Sequence, residues 1–190
     1  MKVAFGWKAH SGWAALVVLG KVRDELVVVD RRRIELVEET WAKQPYHAAE
    51  GLESPVARDL VKRGIDAAQR IALREMKAAI KRERERENDV VGCSVLVGSP
   101  MPDWSTDEIL AVHFRMHKAE GVLFQNALLS AAETCELNPL PVFEKELPAE
   151  HVKKIAELGK SVGAPWGKDQ KDAALAAIMV LSNQINQGHG

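Results

Sequence analysis

Val90-Val91-Gly92-Cys93-Ser94-Val95-Leu96-Val97-Gly98 is nearly all apolar, and Ser99-Pro100-Met101-Pro102 ends it. A short run rich in β-branched residues, without polar alternation, suits a strand buried on both faces of a sheet. The segment before it reads as a long helix. Ser54 suits an N-cap and Pro55 the first helical position. Val56, Leu60, Val61, Ala68, Ile71, Ala72, Met76, Ala79 and Ile80 then recur at helical spacing as one apolar stripe. The tail Lys81-Arg82-Glu83-Arg84-Glu85-Arg86-Glu87 alternates in sign, as a solvated helix end does.

Upstream of that helix lie three strand-like runs. Residues 2–7 form the first, Lys8 to Gly12 a tight turn, and Trp13 to Leu19 the second. After a turn at Gly20–Asp24, Leu26–Asp30 and Ile34–Val37 make a third strand, interrupted by Arg31-Arg32-Arg33. Short connections imply an antiparallel meander. Thr40 to Glu53 reads as a loop. Downstream of the apolar run, Ser105 and Glu108 form a capping box. It opens a helix expected to reach about Glu133 and to loosen near Gly121. Leu140–Phe143 is a fifth strand, and Pro148–Leu158 a helix closed by Gly159. A last helix runs from Asp169 to about Ile185, and residues 186–190 are expected to fray. The whole chain, 1–190, is predicted to be a single α/β domain: a mixed five-stranded sheet of three antiparallel strands, then parallel strands, flanked by helices.

The composition, 46% apolar and 28% charged, is that of a globular chain. A formal net charge of −1 supplies no global basic field, so binding to DNA or RNA would need a local patch. Cys93 and Cys135, the two cysteines, make no disulfide framework and read as buried reduced thiols. Residues 1–8 are too short and interrupted for a signal peptide, and no apolar run approaches the roughly 20 residues of a membrane span. A cytoplasmic location, away from membranes, is expected.

The element order resembles that of the ribonuclease H-like superfamily, and three segments resemble its RuvC-like Holliday-junction resolvases. They are Ser11-Gly12-Trp13-Ala14, entering the second strand; Ala119-Glu120-Gly121-Val122-Leu123 together with Leu140-Pro141-Val142; and Asp169-Gln170-Lys171-Asp172-Ala173-Ala174-Leu175-Ala176-Ala177, which resembles the closing Asp-x-x-Asp-Ala helix. The resemblance implies carboxylates converging on one or two Mg2+ or Mn2+ ions that activate water against a phosphate. It places the first carboxylate at the end of the first strand. That stretch here, Phe5-Gly6-Trp7-Lys8-Ala9-His10, contains no acid. It places another on or after the fourth strand, where Val95 to Pro100 offers none. Asp103 would serve only if its loop folds back. Asp169 and Asp172 match the last pair and are the metal candidates, although acids in a first turn also suit the helix dipole.

Other residues carry competing readings. His47, in Gln44-Pro45-Tyr46-His47, would replace a lost acid as a base, or simply sit in a packed loop. His113 and His117 stand four apart on a helix, with no third ligand evident and no zinc-protease motif, so a structural or solvent-facing pair is expected. Arg31, Arg32 and Arg33 would grip phosphates or guard an exposed strand against edge pairing. Lys168 and Lys171 would approach a phosphate or pair with Asp169 and Asp172. Trp104 and Trp166 would stack on a base or anchor loops. The incomplete acidic set favours a catalytically degenerate ribonuclease H-like protein that binds nucleic acid without cutting it. Two alternatives stand beside it. One is a divergent metal-dependent nuclease rebuilt from Asp103, Asp169, Asp172 and His47. The other is a non-catalytic scaffold for a partner, or a homodimer through the long charged helix.

Overall fold

The computed structural model describes residues 1–23 and 25–187; Asp24, in the second predicted turn, and residues 188–190, within the stretch expected to fray, lie outside it. Five strands, β1 (Lys2–His10), β2 (Trp13–Val22), β3 (Glu25–Glu35), β4 (Asp89–Val97) and β5 (Leu140–Phe143), form one sheet in the order β3-β2-β1-β4-β5. β1, β2 and β3 pair antiparallel, while β4 pairs parallel with both β1 and β5. This is the mixed sheet the sequence predicts. Each parallel join requires a crossover, which the helices between these strands provide.

Strand alternation sorts the two faces. Val3, Phe5 and Trp7 of β1 join Leu16, Val18, Cys93 and Val95 in a core. Helices α2 (Ser54–Glu85) and α4 (His113–Thr134) cover it with Ala68, Ile71, Ala72, Met76, Phe124, Ala127 and Leu128. The opposite face carries Ala4, Val17 and Leu19, covered by α5 (Val152–Val162) and α6 (Lys168–Gln187) through Ile155, Ala173, Ala174, Ala177 and Ile178. The α6 residues nearest β1 are small, and Gly6 has no side chain. A Cβ placed on Gly6 would lie 1.8 Å from the carbonyl oxygen of Ala173. The terminal helix therefore lies directly on the backbone of β1.

The local differences from expectation have physical causes. β1 continues through Lys8 and Ala9 to His10, because Lys8↔Ala15 and Ala9↔Ala14 still pair with β2. β3 is continuous through Arg31-Arg32-Arg33. It is an edge strand, where charged side chains keep solvent access and discourage further pairing. The 40–53 loop contains a 3-10 turn, Thr40–Lys43, and a short helix α1, Pro45–Ala48. Ser54 does not cap α2; its hydroxyl donates to Asp107 (3.0 Å) and so ties the start of α2 to α3, Thr106–Leu110. Ser105 and Glu108 do form the capping box. The predicted long helix after it breaks not at Gly121 but at Ala111–Val112, where Val112 is extended (φ −139°, ψ 112°). Gly159 does not end α5. It leaves room for the Trp166 ring, and α5 stops at Gly163, in the left-handed region at φ 73°.

Two expectations test this packing. Gly6→Ala should lower unfolding stability by at least about 3 kcal/mol, because the clash is with backbone and cannot be relieved by a rotamer change; urea denaturation measures it. Burial pushes the Cys93 thiol up to about 12, whereas an unfolded cysteine ionises near about 8.5. The folded state therefore loses no stability through this group below about pH 8.5 and loses it progressively as pH rises toward about 12. A thiol reagent at pH 8 should reach the half-buried Cys135 in the native protein and Cys93 only after denaturation; equal native rates would contradict this.

Candidate functional site

The even-numbered residues of β1 face α6, so Lys8 and His10 point toward the first turns of that helix while Trp7 is buried on the α2–α4 side. Lys8 Nζ donates to Asp172 Oδ2 at 2.6 Å and lies 3.4 Å from Asp169 Oδ1. His10 Nε2 lies 3.1 Å from the same Asp169 oxygen, without the alignment of a hydrogen bond. Lys168 Nζ bridges Asp172 Oδ2 and Glu144 Oε1, each at 2.5 Å. Hydrogen bonds that it donates to Asp172 and Glu144 hold the Lys168 ammonium well above the usual lysine range, so it stays protonated at any physiological pH. On the other side of His10 the imidazole stacks on Trp13 (4.3 Å between centroids), and the Arg33 guanidinium lies 3.8 Å above the same indole. Arg33 Nε in turn donates to Glu35 (2.7 Å).

These contacts form one polar row on the α6 face: Glu35, Arg33, Trp13, His10, Asp169, Lys8, Asp172, Lys168 and Glu144. Its centre is sheltered, with the Lys8 and Asp172 side chains only 15% and 10% exposed. At the carboxyl ends of β4 and β5, on the α4 side of the sheet rather than the side of this row, is a cleft of about 410 Å3 bordered by Gly98, Met101, Asp103, Gln125 and Phe143. The carboxyl edge is where open α/β sheets bind ligands.

No family model and no curated protein matches the chain. Among solved structures it is similar to that of Thermus thermophilus RuvC, at 13% identity over 98% of this chain and 96% of that one, with a TM-score of 0.51. T. thermophilus RuvC in complex with a Holliday junction substrate is similar at 11% identity over 97% and 96%, with a TM-score of 0.50. The fold is ribonuclease H-like. Within that fold Lys8, rather than Trp7, takes the end of the first strand on the side of the closing acids.

The remaining predicted residues divide. Asp169 and Asp172 come together with Lys8, as the fold requires, and with Glu144, which carries no sequence signal because the stretch beyond β5 has no motif. Asp103 is exposed on the loop after β4 and, among the described residues, makes no ion pair with this row. Lys171 lies on α6, half-buried, one residue from Asp172. Arg31 donates to the carbonyls of Val162, Ala164 and Pro165, so it pins the α5–α6 connection rather than facing solvent. Arg32 pairs with Asp30 (2.9 Å). Burial raises the Asp30 carboxyl, but Arg32 and Arg86 beside it outweigh that and hold it below the usual range. Trp166 donates its indole N–H to Ile155 (2.9 Å) and Trp104 lies under Arg115; both fit anchoring roles.

His47 does not reach the aspartates. Glu120, buried on α4, accepts from the His47 backbone N–H (3.0 Å) and lies 2.6 Å from its Nδ1. His113 and His117 face the same place, with their Nε2 atoms 3.1 Å apart. No third ligand is evident for this pair in the sequence, yet α1 delivers His47 to it. Sequence spacing could not show this, because the contact depends on how α1 packs on α4.

Lys8→Met should cost about 2 kcal/mol, less than a fully buried pair because Lys168 and His10 remain. Lys8→Met combined with Asp172→Asn should cost at least about 1 kcal/mol less than the sum of the singles, since the unpaired carboxylate is gone. Additive losses in a urea-denaturation cycle would show that the pair is not coupled.

Proposed function

We propose that this protein binds nucleic acid on a ribonuclease H-like scaffold and does not cut it, its acidic centre being closed by Lys8. The single observation that carries the reading is the Lys8 ammonium held 2.6 Å from Asp172 and 3.4 Å from Asp169. A two-metal nuclease holds its ions on converging carboxylate oxygens. The oxygens here already face a fixed cation. β1 adds no acid, the end of β4 adds none, and Lys168 occupies the outer side of Asp172. Mg2+ demands near-octahedral oxygen coordination. The residues present do not fit it, and no hydrolytic step is assigned to this site.

The binding half rests on the likeness to a resolvase whose structure is a complex with a Holliday junction, and on what the polar row exposes. Arg33 keeps about half its side-chain surface open beside the Trp13–His10 stack, and Arg32 is partly open on the opposite face of the same edge strand. A guanidinium over an indole suits a phosphate beside a base. The cleft at β4 and β5 opens at the carboxyl ends of those strands, on the α4 side. The scaffold reading draws less support, because Val56 is the only large apolar side chain exposed on α2 among the described residues. No helix among them is long and apolar enough to cross a membrane; a cytoplasmic place suits a nucleic-acid ligand.

Fluorescence anisotropy with duplex DNA, single-stranded DNA, RNA and a four-way junction, each across a salt series, tests the binding. Affinity should fall with salt, and Arg32→Ala with Arg33→Ala should shrink the logarithmic slope by about 1 for each phosphate no longer neutralised. Incubation of the same substrates with Mg2+ or Mn2+ should give no cleavage. Metal-dependent cleavage that Asp169→Asn abolishes would overturn the closed-site reading, and a flat salt response would overturn the phosphate-binding role.

A further inference from the structure

We propose that His47, His113 and His117 form a binding site for one zinc ion, with a water molecule in the fourth position. The site is separate from the Lys8 row: it lies between α1 and α4, on the α2–α4 side of the sheet.

One nitrogen from each of the three imidazoles lies within 4.8 Å of the other two. His113 and His117 are one helical turn apart and so share a face. Their Nε2 atoms are separated by 3.1 Å. Two ligands on a tetrahedral ion with metal–nitrogen bonds of about 2.0–2.1 Å stand about 3.4 Å apart, so a small closure or opening seats the ion. The His47 ring lies 5.1 Å from that of His113 and 4.6 Å from that of His117, measured between centroids.

The His47 tautomer is already set for coordination. His47 Nδ1 lies 2.6 Å from Glu120 Oε2, an acceptor-only carboxylate, so Nδ1 carries the hydrogen and Nε2 presents its lone pair. Both Glu120 oxygens are committed to His47, one to the ring and one to the backbone N–H. A buried carboxylate that orients a histidine from behind is the usual outer support of a metal-bound imidazole. His113 has a weaker version: Glu50 Oε1 lies 3.7 Å from its Nδ1, close enough for charge attraction though not for a hydrogen bond.

Packing alone accounts for the Glu120–His47 pair but not for the other two rings. His113 and His117 are exposed side chains, free to spread into water, yet they converge on each other and on His47. One N–H···N hydrogen bond between His113 and His117 uses both facing Nε2 atoms but leaves the His47 ring, which packs against both, outside it. A cation satisfies all three lone pairs. Three neutral nitrogens without a converging carboxylate select a borderline-soft ion over Mg2+ or Ca2+. The exposure of His113 and His117 leaves the fourth position open to water or a small anionic donor.

The test uses the full chain, stripped of metal by a chelator and titrated with Zn2+ against a chromophoric competitor. One zinc per chain is expected, and Co2+ in its place should show the intense visible bands of a tetrahedral site. His113→Ala and His117→Ala, both at exposed positions, should each weaken zinc binding at least about 100-fold, and Glu120→Gln about 10–100-fold. His151→Ala, outside the site, should change nothing. Zinc should raise the melting temperature of the native chain and not that of His117→Ala. Circular dichroism of each metal-free variant separates impaired ligation from impaired folding. Wild-type affinity in His117→Ala, no bound zinc in the native chain, or an octahedral cobalt spectrum would each overturn the site, whatever the nucleic-acid experiments show.

Discussion

The contact between the terminal helix and the first strand governs the rest of this molecule. α6 can lie on β1 only because Gly6 carries no side chain where the Ala173 carbonyl passes, and because Ala173, Ala174 and Ala177 are small. A larger residue at any of these positions would lift the helix from the sheet. Lift would separate Lys8 from Asp172, the residue before Ala173, and from Asp169, one turn earlier. The sheltered ion pairs are thus a consequence of backbone packing. They are not strong enough to place the helix by themselves, since desolvation offsets much of what such pairs gain.

The same closeness decides what the acidic end of α6 can do. A helix start with two aspartates beside open water attracts cations. One pressed against a strand that presents lysine and histidine has its negative charge already answered. The row from Glu35 to Glu144 alternates acid, base and aromatic across three strands, α6 and the turn after β5. Its polarity is self-contained at the centre and open at both ends, Arg33–Glu35 and Lys168–Glu144. That contrast separates an exposed rim from a sheltered centre whose charges are already paired.

Much of the fold was legible in the chain. The unbroken apolar run at 90–98 marked the central parallel strand, and the 54–85 stripe marked the long helix, because both signals come from burial periodicity. The breaks were less legible. Nothing local distinguishes Gly121, which sits inside α4, from Val112, which ends a turn; tertiary packing of Ile109 and Met116 in one small core decides between them. At the site, the missing acid on β1 was visible in Phe5–His10, and strand parity then selected Lys8 over Trp7. Glu144 and the convergence of His47 on His113 and His117 were not visible, since each joins segments far apart in sequence through connections without a motif. Arg31, Arg32 and Arg33 show the opposite limit. Three identical neighbours take three different partners: alternation turns Arg32 to the opposite face, and Arg31 and Arg33, on one face, reach different segments along the strand.

Arg31 has a broader mechanical meaning. Its guanidinium gathers three carbonyls from the segment that leads out of α5 into α6. That segment is the tether of the helix that closes the fold, and β3 is the outermost strand on the far side. One side chain thus straps the sheet margin to the chain's last crossover. Fraying of the outer strand and loosening of the final helix become a single cooperative event rather than two independent ones. The margin most open to solvent thereby shares the protection of the best-packed part of the domain.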